Sequence, residues 1–295
     1  MLANHILLRT SIRSFKEKPV KHVAFTETVA SPIKYGLGFV GFSSAAGLAY
    51  TLKNAYAPKA TSNLNSVAIW PDYVAARING TFKYVLGGLG VTTLAAMATL
   101  RSPVLMSAMN SNSMFAFFGC TAAMWSTGLL CQSIKFNGNA FGAKSLAYYL
   151  HMAVVGAVIA PITLFGGQAC LFAAGLTAAI MAGLSVTAMV APSDAYKKTY
   201  GIINAGLTLM FVASTMTFFV NPASPVGCAL CSFILFGGLV LFGLKGFSDV
   251  NRCIDQAKQP GEFDPVNNAV HISMDAINIF IRLVMIMGNN NGKGK

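Results

Sequence analysis

Of the nine acidic residues in this 295-residue chain, seven (Glu17, Glu27, Asp72, Asp194, Asp255, Glu262 and Asp264) are expected near segment ends or in loops, where water solvates them. The other two differ. Asp249 stands at the end of an apolar run, in GFSDVNRC, and Asp275 lies inside another, in HISMDAINIFIRL. Carboxylates suit two kinds of chemistry, carrying a proton and ligating a hard cation through oxygen. If 269–288 is a helix advancing about 100° per residue, Asn268, His271, Asn278 and Arg282 all fall within about 60° of Asp275. They form one polar stripe, with Ile277, Phe280 and Ile281 beside or opposite it. His271 reads first as a hydrogen-bonded polar residue and second as a group that tunes the carboxylate near neutral pH. Arg282 offers a purely structural alternative, neutralising Asp275 from two turns away.

The elements that must hold these groups follow from composition. The chain is 55% hydrophobic and 10% charged, whereas soluble domains carry roughly a quarter charged residues. A membrane-spanning helix needs about 20 mostly apolar residues, and seven stretches qualify: 80–101, 112–134, 147–166, 168–191, 202–221, 227–247 and 269–288. Runs of this length without strict alternation exclude a β-barrel. The expected fold is an all-α polytopic membrane bundle whose last helix is central. A charge at bilayer depth costs about 2.5 to 3.5 kcal/mol and normally faces a bundle interior or a watery cavity. The polar stripe around Asp275 therefore has to be wrapped by the other helices. Asp264 before Pro265 marks the start of that helix as an N-cap followed by proline at the first helical position. Gly87, Gly88, Gly90, Gly156, Gly183, Gly237 and Gly238 fall within spans, where small residues let helices approach.

An eighth stretch, 35–52, is short and half composed of small residues, so both a further span and a peripheral helix satisfy it. Four regions result: a basic segment at 1–33, that stretch and a linker at 34–79, a membrane domain at 80–290, and a polar tail at 291–295. Segment 1–33 carries Arg9, Arg13, Lys16, Lys18 and Lys21 with interleaved Ser and Thr and few acids, the pattern of a mitochondrial transit peptide. With the spans drawn, Lys53, Lys59, Arg77, Lys135, Lys144, Lys197, Lys198, Lys245, Arg252 and Lys258 collect on one face, and Arg101, Lys293 and Lys295 on the other. By the positive-inside rule the first face looks toward the matrix, giving a multi-pass protein of the inner mitochondrial membrane. The net charge of +12 then serves anionic lipid, and no nucleic-acid partner is expected.

No enzyme and no cofactor are expected. No Ser/His/Asp constellation or metal-ligand cluster is visible, and LGGLG at 86–90 lies in an apolar helix without the preceding strand of a dinucleotide site. The CxxC of Cys228 and Cys231 lacks further ligands. These two, with Cys120, Cys131, Cys170 and Cys253, read as buried small hydrophobes. His151 and Pro161 read as packing and kink residues.

The block DPVNNAVHISMDAINIFIRLVMIMG resembles the transmembrane Bax inhibitor motif family, in particular its mitochondrial branch. RSPVLM at 101–106, HMAVVGAVIAPITLFGG at 151–167, SVTAMVAPSD at 185–194 and FGGLVLF at 236–242 support it in the same order along the chain. The resemblance implies a seven-helix Bax inhibitor-like core with an aspartate pair on the last two helices, here Asp249 and Asp275. It also implies calcium leak or Ca²⁺/H⁺ exchange at that pair. Two carboxylates sharing a site exchange protons as a unit, and when ionised they suit Ca²⁺ at low affinity, with water or Asn278 completing the shell. The other role the resemblance implies is an interaction protein that maintains cristae and restrains cytochrome c release in apoptosis. This chain departs from the family's Tyr-Asp-Thr-Gln around the first aspartate, having Ser248, Val250 and Asn251. Lys245, one turn earlier, is a charge foreign to the pattern that can offset an aspartate.

Overall fold

The computed structural model describes residues 70–288 apart from 110–113, 140, 193–194 and 222. The basic segment 1–33, the stretch 35–52 and the tail 291–295 lie outside the described residues.

Among the described residues the regular elements are all helical. Helix α1 covers Asp72–Arg101, α2 Pro103–Met109, α3 Met114–Ser133 and α4 Ala143–Ile159. They are followed by α5 Gly167–Val190, α6 Ala195–Met216, α7 Pro225–Ser232, α8 Gly238–Lys258 and α9 Pro265–Gly288. Six helical stretches are long and apolar enough to span a membrane, and α3, with 20 residues, occupies the place of the remaining expected span. The chain is thus an all-α polytopic bundle.

Boundaries differ from expectation in two informative places. Helix α1 begins at Asp72 rather than at 80, because Pro71 and an acid in the first turn favour a start there. The sixth core span runs from Pro225 to Lys258 as one helical stretch, so Asp249 lies within a helix instead of at its end. Asp72 and Asp255, expected in loops, are also helical. Around Pro161 the expected distortion is a 3-10 stretch, Ala160–Phe165. It closes on Gly166 at φ 113°, a left-handed conformation natural only to glycine.

Helix starts obey local chemistry. Ser224 accepts from the Gly227 N–H with Pro225 at the first position, and Asp264 Oδ1 accepts from the Val266 and Asn267 N–H groups at 3.0 Å each. Between α7 and α8 the chain makes a π-helical turn, Phe233–Gly237, a geometry that recurs at functional sites.

Helix α9 is the centre: 61% of its apolar window is buried, against 17 to 39% for the other candidate spans. It packs on α8, α1 and α5. Helices α1 and α4 approach closely because Gly156 has no side chain, and a Cβ there would collide with the Thr92 carbonyl. At that crossing Thr92 Oγ1 donates to the Met152 carbonyl at 3.1 Å. His151 is buried and bonds Thr127 Oγ1 of α3 at 2.9 Å, a packing role as read from sequence. By contrast Gly90 and Gly183 have nothing within contact range, so the expectation of tight packing fails at those two. The outer surface is apolar, with Leu86, Leu94, Trp125, Leu171 and Phe219 exposed. Cys131 and Cys253 are buried, but Cys231 is exposed, contrary to expectation.

One end of the bundle is basic. Lys135 pairs with Glu262 at 3.0 Å, Lys144 pairs with Asp264, and Arg77 donates to the carbonyls of Ala257, Gln259 and Gly261. Lys245 does not join that face. It lies inside the bundle with a side chain 19% exposed.

Candidate functional site

Helices α8 and α9 run antiparallel along a polar seam that crosses the interior. At the basic end Asn268 Nδ2 donates to Gln256 Oε1 at 3.0 Å, and also to the Asp264 carbonyl of its own helix. Deeper in, Lys245 Nζ donates to Asp249 Oδ2 at 2.5 Å and to Asp275 Oδ1 at 2.8 Å. The first contact follows from i,i+4 spacing on α8. The second requires α9 to lie beside α8 in this register, with Gly246 facing Asp275 and Met181 of α5; a Cβ there would meet them at ordinary contact distances of 3.7 and 3.5 Å, so the register does not depend on a glycine. Asp275 is fully buried, and its second oxygen, Oδ2, has no hydrogen-bond partner in the protein.

The two aspartates thus converge, with an ammonium between them. Their charges together with that of Lys245 leave one negative charge in excess when all three are ionised. Burial of the group raises its electrostatic stakes, since a charge unpaired at this depth would cost several kcal/mol.

The remaining stripe residues divide. Asn268 belongs to the seam's outer part. His271 faces a cavity of about 470 Å³ at the basic end, lined also by Gln132, Arg252, Gln256, Glu262 and Asn267. Arg252 Nε and Asn267 Oδ1 are buried in that region without hydrogen-bond partners in the protein. Arg252, one turn from Asp249 on α8, puts a cationic side chain in the wall of that cavity, whereas Asp249 and Asp275 do not line it.

Arg282 and Asn278 do not join the aspartates. Arg282 Nη1 donates to Asn278 Oδ1 and to the Asn278 carbonyl, and Nε donates to the Ile234 carbonyl in the π-helical turn. Its guanidinium lies 4.4 Å from the Phe242 ring centroid. It fits there because Gly238 has no Cβ, which would collide with Arg282 Nε. The proposed Asp275–Arg282 neutralisation is therefore replaced by Lys245. Asn278 is committed to Arg282 and to the Met274 carbonyl, so it is not placed to complete an ion's shell.

Several contributors escape a sequence reading. Tyr148 of α4 bonds Ser273 Oγ at 3.0 Å and the Tyr84 carbonyl at 2.9 Å, fixing α9 two residues before Asp275. Asn251, fully buried, donates to the Ala188 and Pro192 carbonyls and anchors α8 to the end of α5. Ser248 bonds Thr199 of α6 at 2.6 Å. The departures from the family pattern around Asp249 thus serve helix packing. Of the interior contacts, only that of Lys245 with Asp249 has a local signal in the sequence, its i,i+4 spacing. Among the described residues no group of three or more His, Cys, Asp or Glu converges as a metal site.

Comparison with known proteins agrees with this architecture. The family Bax1-I, Inhibitor of apoptosis-promoting Bax1, matches residues 74–292. The growth hormone-inducible transmembrane protein of Rattus norvegicus is 38% identical over 237 residues, covering 79% of this chain and 68% of that protein. The match takes in the central helix, the aspartate-bearing seam and the helices that wrap them, and on it this chain belongs to the Bax inhibitor family of membrane proteins.

Proposed function

We propose that this protein moves a cation across the inner mitochondrial membrane, Ca²⁺ in exchange for or under the control of H⁺, with Asp249 and Asp275 as the shared binding groups. The observation that carries the reading is the convergence of two carboxylates, from separate helices, on one cation inside a wrapped bundle. Ionised, the pair presents oxygen ligands to a hard cation; protonation removes that charge, so proton and metal compete for the same oxygens. No covalent step and no resident cofactor enter the mechanism. The mitochondrial address rests on the Arg- and Ser-containing, acid-poor first 21 residues, together with the resemblance to the mitochondrial branch of the family.

The test is simultaneous measurement of Ca²⁺ and H⁺ flux in liposomes containing the purified full chain. Wild type is expected to exchange the two, and Asp275→Asn to abolish the exchange while the protein remains monodisperse. Flux retained at the wild-type rate removes the proposal. A second reading is favoured by Lys245 itself: a neutralised trio also makes a stable clasp in a protein whose work is to hold partners in the membrane, supporting cristae and restraining cytochrome c release. In that case Asp275→Asn leaves function intact and partners co-purify in mild detergent.

A further inference from the structure

We propose that Lys245 is a tethered counter-cation that determines which ions the aspartate pair accepts, by occupying the position a transported metal would take. The inference rests on the reading of Asp249 and Asp275 as a cation site and adds a specificity residue to it.

The geometry is direct. Lys245 Nζ lies 2.5 Å from one carboxylate oxygen and 2.8 Å from the other. Calcium–oxygen distances are about 2.3 to 2.6 Å, so an ion ligated by both carboxylates needs essentially the point where the ammonium sits. Two cations cannot occupy it together. The pair also retains unused capacity, because Asp275 Oδ2 is buried with no protein donor. A ligand of higher charge density than an ammonium has a use for that oxygen, whereas Lys245 does not reach it.

The charged and titratable groups that interact along the seam beyond the trio are His271 on α9, which acts on Asp249, and Arg252 on α8, which acts on His271, while α5 presents the neutral Met181. With both carboxylates ionised, the trio carries one excess negative charge when Lys245 is in place, and the same pocket holds two without it. Coulomb attraction for a divalent ion at fixed geometry scales with that charge. A lysine's flexible four-carbon stem allows the ammonium to leave and return without rearranging the backbone. Entry of a metal is then an exchange of cations, and release is followed by return of the lysine, which keeps the buried carboxylates from facing each other unpaired.

The experiment uses the full chain purified in detergent and then in liposomes, with Ca²⁺ as the probe and Lys245→Met as the first variant. Removing the ammonium is expected to lower the Ca²⁺ concentration giving half-maximal uptake by about tenfold or more. Its melting temperature is also expected to rise with Ca²⁺ where that of wild type does not. Adding Asp275→Asn to Lys245→Met should erase both gains. If the bare carboxylates prevent Lys245→Met from assembling, purification in Ca²⁺ should recover it. Lys245→Gln, which keeps a hydrogen bond to one carboxylate, carries the same expectation. Absence of any Ca²⁺-dependent gain in both variants, whether in uptake, melting or recovery, overturns the inference. If wild type shows no flux at all but Lys245→Met still melts higher in Ca²⁺, the transport reading fails and the tethered-cation assignment stands.

Discussion

Helix α9 carries two lysine–aspartate pairs, and they are built to different ends. At its start Asp264 spends every available contact on structure: Lys144 binds Oδ2, and the Val266 and Asn267 N–H groups bind Oδ1. Farther along the helix Asp275 binds Lys245 through one oxygen and leaves the other without a protein donor. Lys144 has a single carboxylate, whereas Lys245 is shared between two. The first pair is saturated and fixes where the helix begins. The second leaves one carboxylate oxygen without a protein donor and shares one ammonium between two carboxylates, the arrangement on which the proposed exchange rests. The same residue types acquire different roles through the number of partners each oxygen has.

The sharpest way to break this comparison is at the saturated pair. Asp264→Ala leaves the Lys144 ammonium buried at 3% side-chain exposure and uncaps the central helix. A loss of about 3 to 5 kcal/mol is expected, as for a buried pair deprived of one partner. Thermal unfolding in detergent measures it, and a change below about 1 kcal/mol would show that the pair is not the anchor described. Gly238→Ala comes next. The added Cβ displaces the Arg282 guanidinium from the Ile234 carbonyl, and overpacking of this sort costs about 1 to 3 kcal/mol. The double variant with Arg282→Met relieves the collision and should recover part of the loss.

Asp275→Asn sharpens the contrast from the other side. Asparagine keeps an acceptor for Lys245, which also retains Asp249, so the expected cost is about 1 kcal/mol or less, well under that of Asp264→Ala. Exchange activity, however, should vanish. A variant in which stability and flux fall together in the same proportion as in Asp264→Ala would place the two pairs in one structural class.

How much of this could be read from the residues follows from the range of each interaction. Hydropathy over about 20 residues located the spans, because lipid imposes that length on each helix separately. The N-cap at Asp264 and the central place of α9 were legible too, one from a local dipeptide and the other from a polar stripe that could not face lipid. The pairing of Asp249 with Asp275 came only through family resemblance, since the register of two helices is not local. Counting charges by segment ends places Lys245 on the basic face because it ignores depth, and its bridging role depends on α8 continuing past Asp249. The alternative pairing of Arg282 with Asp275 fails for a related reason. The backbone carbonyl it binds belongs to a π-helical turn, and no side-chain pattern announces that turn.

The smallest expected effect lies at the remaining pair of the basic end, Lys135 with Glu262. Its separation, 3.0 Å, resembles that of Lys245 with Asp275, yet its side chains are 73% and 83% exposed. Water solvates both ions whether or not they meet, and holding two long side chains in one geometry costs entropy. Lys135→Ala is therefore expected to change stability by about 0.5 kcal/mol or less, with any difference shrinking further as salt is raised because the Debye length falls to about 3 Å at 1 M. Thermal unfolding at low and high salt measures it beside the Asp264→Ala and Asp275→Asn variants. If Lys135→Ala proved as costly as Asp264→Ala, distance alone would govern these pairs. Burial and the count of partners on each oxygen would then lose their place in separating anchor from site.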